Sequence, residues 1–247
     1  MRKLKEIILA LLVFTALGAL AMGVYRTQRD KPHKELAKRI AELSPRGGPP
    51  REIEDLKKAI ALYEAQIELN VKEGAQTGTY WKILAIRLAD RDMHRDALAA
   101  FEKALYYNTS DPTIYYLIGV SAGTTAKSIV GFSTNAQNEK EHFYTLSENS
   151  YKRALELEPQ YQKSMYGLGV LYTFELNRPA EAIPYLEDYL RILPNDIQAM
   201  FVLARAYYMT GNKEQAVELY DKIIARTKDP KVKAEAQNNK NLVWEQM

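Results

Sequence analysis

From about residue 51 onward, apolar residues recur every three or four positions, and turn-forming residues interrupt this pattern roughly every fifteen residues. Such spacing places apolar side chains on one face of an α-helix. No run alternates apolar and polar positions in the way that predicts a half-buried strand. The pattern therefore predicts an all-helical domain over residues 51–247.

Two short motifs recur within this pattern. The first is a large residue followed by apolar, small and apolar residues at spacings of three, one and three, beginning at Trp81, Tyr115, Met165 and Met200. The second is a small residue with an aromatic or leucine residue four positions later, beginning at Ala97, Ser147, Ala182 and Ala216. The last two intervals in the second series, 35 and 34 residues, are typical of a repeated helix pair.

In this order the two motifs resemble the tetratricopeptide repeat (TPR). Pro159 and Pro194 lie at the family's proline position, and Gly211 lies in the turn between the two helices of the last repeat. The resemblance implies an all-α fold, a right-handed α-solenoid of about four repeats, in which small residues let helices approach closely. A lone leading helix over residues 52–70 and a C-terminal capping helix from Lys231 complete the expected array.

The second repeat departs from the family pattern. Ser147 follows Ala122 by 25 positions where the family has 9, so 16 residues are inserted. The simplest interpretation lengthens both helices by about eight residues, with a turn near residues 133–135 and a tip about 12 Å beyond the neighbouring repeats. The apolar residues of this hairpin either pack inward or form a partner-docking tip. They are Ile129, Val130, Phe132, Phe143 and Tyr144.

In this family the first helix of each repeat lines a concave groove. Carried over residue by residue, that lining is mostly aromatic and aliphatic here, which suits an amphipathic helix or an extended peptide with aromatic anchors. The alternative is that the hairpin or a second copy of the chain covers part of it. The predicted groove residues are Lys82, Ile86, Asp90, Tyr116, Val120, Thr124, Lys163, Tyr166, Val170, Phe174, Phe201, Arg205 and Tyr208.

Residues 7–24 are 18 consecutive residues without a charge, which as a helix cover roughly 27 Å, close to the thickness of a bilayer core. They predict a single-pass inner-membrane anchor over residues 1–25. A small-x-small site at Ala19–Ala21 leaves a cleaved signal peptide as the alternative. The short basic N-terminus favours a periplasmic repeat domain, whereas six basic residues soon after the run favour a cytosolic one.

A basic stalk with a proline- and glycine-rich linker occupies residues 26–50, ahead of the repeat domain over residues 51–247 with its hairpin at about 123–147. The formal net charge is +3, but residues 1–58 carry +6 and residues 59–247 carry −3. The repeat domain is therefore slightly acidic, which argues against a nucleic-acid partner.

The chain has no cysteine, no Gly-x-Ser-x-Gly motif and no complete phosphate-binding loop. No catalytic residue, metal or cofactor is therefore expected. The sequence predicts a non-enzymatic protein-interaction scaffold tethered to a membrane in a bacterial envelope complex. The alternatives are a cytosol-facing receptor or assembly factor, and a cleaved secreted repeat protein. The apolar residues Leu242–Trp244 also predict an end face through which the chain forms a homo-oligomer.

Overall fold

The computed structural model describes residues 34–43, 52–131 and 133–245. They belong to two compact units, Met1–Glu73 and Gly74–Met247. The anchor predicted over residues 7–24, the linker and Phe132 lie outside the described residues. Among the helices that are described, none is both long and apolar enough to cross a membrane.

The first unit contains helix α1, over residues 34–43, and the N-terminal part of helix α2, Ile53–Ala89. Because α2 is one helix of 37 residues, the separate leading helix predicted over residues 52–70 is wrong. No proline lies between Pro50 and Pro112 to break the pattern. The glycines within α2 each cost only about 1 kcal/mol of helix stability, which is too little to end a helix.

From α3 onward the second unit is a series of helices in which each packs against the next, while α6 also lies beside both α4 and α8. This array of helix pairs confirms the all-α, solenoid-type fold. Its members are the end of α2, α3 (His94–Tyr107), α4 (Pro112–Ser128), α5 (Thr134–Leu157), α6 (Gln162–Val170) with a π-helical turn (Leu171–Glu175), α7 (Pro179–Ile192), α8 (Ile197–Met209), α9 (Lys213–Arg226) and α10 (Pro230–Trp244).

The glycines of the first motif, Gly119 and Gly169, lie where two helices pack closely. A Cβ on Gly119 would lie 2.5 Å from Tyr151 Cε1, so the α4 backbone packs directly on that ring. The motif spacing therefore marks positions where only a small side chain fits. The buried small residues are Ala85, Gly119, Gly169 and Ala204 on the first helices and Ala97, Ser147, Ala182 and Ala216 on the second.

Three of the repeats share one backbone feature in the turn between their two helices. Asp92, Asn177 and Gly211 have φ values of 59°, 51° and 81°, and each lies five positions before the small residue that begins the second motif. In the second repeat the equivalent residue is His142, which lies within α5. The insertion has therefore moved the turn to residues 129–133, and α5 continues through the position that the turn occupies in the other repeats.

The two helices of the second repeat are lengthened unequally. Helix α4 has 17 residues against 13 for α8, and α5 has 24 against 14 for α7. The prediction of about eight extra residues in each is therefore wrong, since the excess is four and ten. The turn also falls earlier than predicted, because the Ser133 side chain accepts from the Ala136 amide at 3.3 Å and begins α5.

Helix α10 closes the C-terminal end of the described array. Ala236 and Val243 are buried in the main core cluster, with Val232 packed against it. Leu242 and Trp244 of the predicted end face are about half exposed. The last helix therefore has one buried side and one side that remains open.

Candidate functional site

The first helices of the repeats in the second unit border two adjacent cavities. The smaller, of about 130 Å³, lies between α4 and α6, and Thr124, Lys127 and Glu175 form part of its polar lining. The larger, of about 490 Å³, lies between α6 and α8, with α9 and α10 contributing one wall. Val170 lines both cavities, so the two adjoin at this residue, and together they are called the groove.

The larger cavity collects five of the predicted groove residues: Tyr166, Val170, Phe174, Phe201 and Arg205. They come from α6, the π-helical turn and α8, which pack side by side. The smaller cavity adds the predicted residues Val120 and Thr124. Their role in binding a partner stays a prediction.

Part of the larger cavity was not foreseen from the sequence. Tyr220 comes from a second helix, and its ring centroid lies 6.1 Å from that of Phe201. Glu235 and Asn239 come from the capping helix α10. Family groove positions fall on the first helices, so the motif spacing gave no signal for these three residues.

Phe174 lies in the π-helical turn. The Leu176 amide donates to the Leu171 carbonyl oxygen at 3.0 Å, and the Arg178 amide donates to the Tyr172 carbonyl oxygen at 2.8 Å. Such wide turns occur often at functional sites. Phe174 is 54% exposed at the cavity, while its neighbours Tyr172 and Thr173 are buried. The turn thus combines a well-packed backbone with an open aromatic side chain.

The predicted groove residues of the first repeat lie outside both cavities. Lys82 Nζ lies 2.6 Å from Asp111 Oδ2, and Asp111 caps α4 by accepting from the Thr113 amide at 2.9 Å. Burial opposes ionisation of Asp111, but these partners outweigh it and lower its pKa. Lys82 therefore joins two repeats. Ile86 packs on a core cluster, and Asp90 is exposed in the following turn.

Two basic groove residues stack on tyrosine rings. Lys163 Nζ lies 5.7 Å from the Tyr116 ring centroid, and Arg205 Cζ lies 5.6 Å from the Tyr208 ring centroid. Burial, the larger cause, and the neighbouring Tyr161 raise the pKa of Tyr116. The rings hold both exposed cations in place, and of these four residues only Arg205 lines one of the two cavities.

Some of the predicted hairpin residues are exposed, and others are packed in the core. Val130 is 93% exposed and Ile129 is half-buried. Phe143 departs from the prediction of a tip residue: it packs against two core clusters and lies 4.9 Å from Arg95 Cζ. Tyr144 is buried, and its hydroxyl donates to Glu175 Oε2 at 2.7 Å. Phe143 and Tyr144 therefore belong to the core.

A charged network that the sequence did not indicate joins α5 to Tyr172 and Arg178. Glu148 of α5 accepts from Lys152 at 2.7 Å, from the Tyr172 hydroxyl at 2.8 Å and from Arg178 at 2.9 Å. Burial opposes the charge on Glu148, but these donors outweigh it and lower its pKa. Because Tyr172 and Arg178 are 24 and 30 positions away from Glu148, local spacing does not reveal the network.

Two segments of the chain, and one related protein, connect it to tetratricopeptide repeats. Residues 140–197 and 173–237 match models described as tetratricopeptide repeat. A TPR repeat-containing protein of Borreliella burgdorferi is 23% identical over 194 residues, 78% of this chain and 82% of that protein.

Solved structures of MamA also resemble this chain. MamA from residue 41 onward, from Desulfovibrio magneticus RS-1, gives a TM-score of 0.53 at 17% identity, over 68% of this chain and 94% of that one. A double mutant of MamA from RS-1 gives a TM-score of 0.52 at 17% identity, over 69% of this chain and 96% of that one. At such identities the likeness bears on the fold alone. Motif spacing and helix packing agree with these matches, which identify tetratricopeptide repeats over residues 140–237.

Proposed function

We propose that this chain is a non-enzymatic scaffold that binds a protein partner in the groove formed by α4, α6 and α8. TPR proteins generally mediate protein–protein interactions, and stacked repeats use their concave surfaces to do so. The observation that carries the proposal is Phe174, which is 54% exposed at a cavity of about 490 Å³ with further aromatic walls. An aromatic side chain left open beside a cavity is typical of a binding anchor.

The volume and lining of the larger cavity favour one kind of partner. Its volume lies in the range of about 300–1,000 Å³ that suits an inserted ligand group. Tyr166, Phe174 and Phe201 provide apolar walls, while Arg205 and Glu235 provide charges of both signs. We expect a peptide segment that inserts one large apolar side chain there and hydrogen-bonds its backbone to the polar rim.

A displayed library of random peptides, selected on the full-length protein in detergent, tests this proposal. We expect the selected peptides to share a large apolar residue, and their affinity to fall at least about tenfold with Phe174→Ala plus Phe201→Ala. Tyr106→Ala is the matched control, since Tyr106 is 82% exposed on α3, away from the groove. Failure to select any peptide, or equal binding by the double variant, would contradict the proposal.

We also propose that residues 7–24 anchor the chain in the inner membrane with the repeats on the periplasmic side. This proposal rests on the uncharged run of 18 residues and on the basic residues Arg2, Lys3 and Lys5 that precede it. Protease added to spheroplasts should then digest the repeats, and the mature chain should retain its N-terminal residues by mass spectrometry. Protected repeats would indicate the cytosol-facing alternative, and a shortened chain would indicate a cleaved signal peptide.

A further inference from the structure

Helix α2 carries a row of large apolar side chains that the described part of the chain leaves exposed. Ile53, Leu56, Ile60, Tyr63 and Ile67 follow one another at spacings of three, four, three and four. They are between 37% and 69% exposed. An apolar row with this alternation is the seam of a coiled coil, with isoleucines at one seam position and leucine or tyrosine at the other.

Helix α1 does not cover this row. The two helices share a cavity lined on α2 by Lys58, Ala61 and Leu62. At about 100° per residue, these three residues lie roughly 100° to 200° around the helix from Ile60. Helix α1 therefore approaches another face of α2, and the apolar row remains available.

We propose that two copies of this chain associate along this row as a parallel, in-register coiled coil. Isoleucine at the first seam position with leucine at the second favours two parallel strands. In that register Glu52 of each copy lies beside Lys57 of the other, which gives one flanking pair of opposite charges on each side of the seam. Asn70, the next seam residue, faces its own equivalent and can exchange a hydrogen bond with it.

The charge of this segment argues for a protein occupant and against a lipid surface. Residues 52–73 hold six acidic and three basic residues, a net charge of −3. Helices that lie on membranes carry lysine and arginine on their polar face, because anionic headgroups attract them. An acidic helix is repelled by such a surface, whereas a second copy offers a matching apolar row and the Glu52–Lys57 pair.

Cross-linking of single-cysteine variants tests the orientation directly, because the wild-type chain has no cysteine. The full-length protein in detergent would carry Ile53→Cys or, as the matched control, Glu54→Cys, and would be oxidised with copper phenanthroline. A disulfide needs Cα atoms within about 7 Å, which parallel in-register copies provide at the seam but not beside it. We expect a cross-linked dimer with Ile53→Cys and little with Glu54→Cys. Equal yields from the two variants, or no dimer from either, would overturn the proposal.

A second pair of variants separates association from folding. Ile60→Glu introduces a charge into the seam, whereas Leu69→Glu places it about half a turn away on the same helix, where Leu69 is 44% exposed. Light scattering should show a dimer for wild type and Leu69→Glu, and at least about a tenfold weaker dimer for Ile60→Glu. Circular dichroism should show equal helix content in all three. A dimer that withstands Ile60→Glu, or that both variants weaken equally, would overturn the proposal.

Discussion

Leu186 occupies the space that a side chain on Gly169 would need. A Cβ on Gly169 would lie 2.5 Å from Leu186 Cγ, far inside normal contact distance. Both residues belong to the repeat motifs, one on each helix of the third repeat. The pair shows why the motif alternates small and large residues: the glycine lets α6 approach α7 so closely that leucine fills the remaining gap.

This pair predicts that Gly169→Ala destabilises the protein by about 1–3 kcal/mol, the usual cost of overpacking, although alanine is the better helix former. Gly74→Ala is the control, because its Cβ would lie 3.8 Å from Tyr107 Cδ1, an ordinary contact. That variant should gain up to about 1 kcal/mol. Urea denaturation measures both free energies of unfolding. Equal stability of the two variants would contradict this account of the packing.

Substitutions at two equivalent turn positions, Asn177 and Gly211, should change the free energy of unfolding in opposite directions. Asn177 has a φ of 51°. This left-handed conformation is strained for asparagine, whereas glycine adopts it without steric strain. Asn177→Gly should therefore raise the unfolding free energy by a few tenths to about 1 kcal/mol. Gly211→Ala, at a φ of 81°, should lower it by about 1 kcal/mol or more. Thermal unfolding measures both, and shifts of the same sign would refute the assignment of these turns.

The network around Glu148 predicts a pH-dependent stability. Burial opposes its charge, but hydrogen bonds from Lys152, Tyr172 and Arg178 outweigh it, so the pKa in the folded protein lies below the unfolded value. A carboxylate of this kind stabilises the fold above its unfolded pKa, near 4.3, and loses that contribution as the pH falls through its folded pKa. Glu148→Gln should therefore cost about 1–2 kcal/mol at pH 7.

The difference between wild type and Glu148→Gln should persist down to about pH 5 and shrink below about pH 4, as wild-type Glu148 becomes protonated. Denaturant unfolding at a series of pH values measures it. Glu156→Gln is the control, because Glu156 is 63% exposed in its pair with Arg153, and exposed pairs contribute little. A Glu148→Gln effect that is independent of pH would show that the ionised network does not act in this way.

The spacing of small and large residues predicted the repeats because the packing of the helices requires small residues at fixed positions. Ala97, Ala182 and Ala216 are fully buried, and each must be small where two helices touch. The same regularity led to the groove positions, of which Tyr166, Phe174 and their neighbours line one cavity.

Other features escaped prediction because they depend on contacts distant in sequence or on weak local preferences. Glycine only slightly disfavours a helix, so Gly74 and Gly78 did not reveal that α2 continues through them. Phe143 was predicted to lie at the hairpin tip, but α5 begins at Thr134, so Phe143 lies more than two turns inside that helix and packs against the core. The π-helical turn at Leu171–Glu175 has no signature in the spacing of apolar residues.

The most direct test of the groove is photo-cross-linking in living cells of the source organism. Benzoylphenylalanine in place of Phe174 should form a discrete adduct with another protein, identified by mass spectrometry, and Phe201→Ala in the same chain should abolish it. The same group in place of Tyr106, which is exposed on α3 away from the groove, should not form that adduct. An adduct that forms equally at both positions, or that survives Phe201→Ala, would contradict the claim that this groove binds a protein partner, as would the absence of any adduct at Phe174.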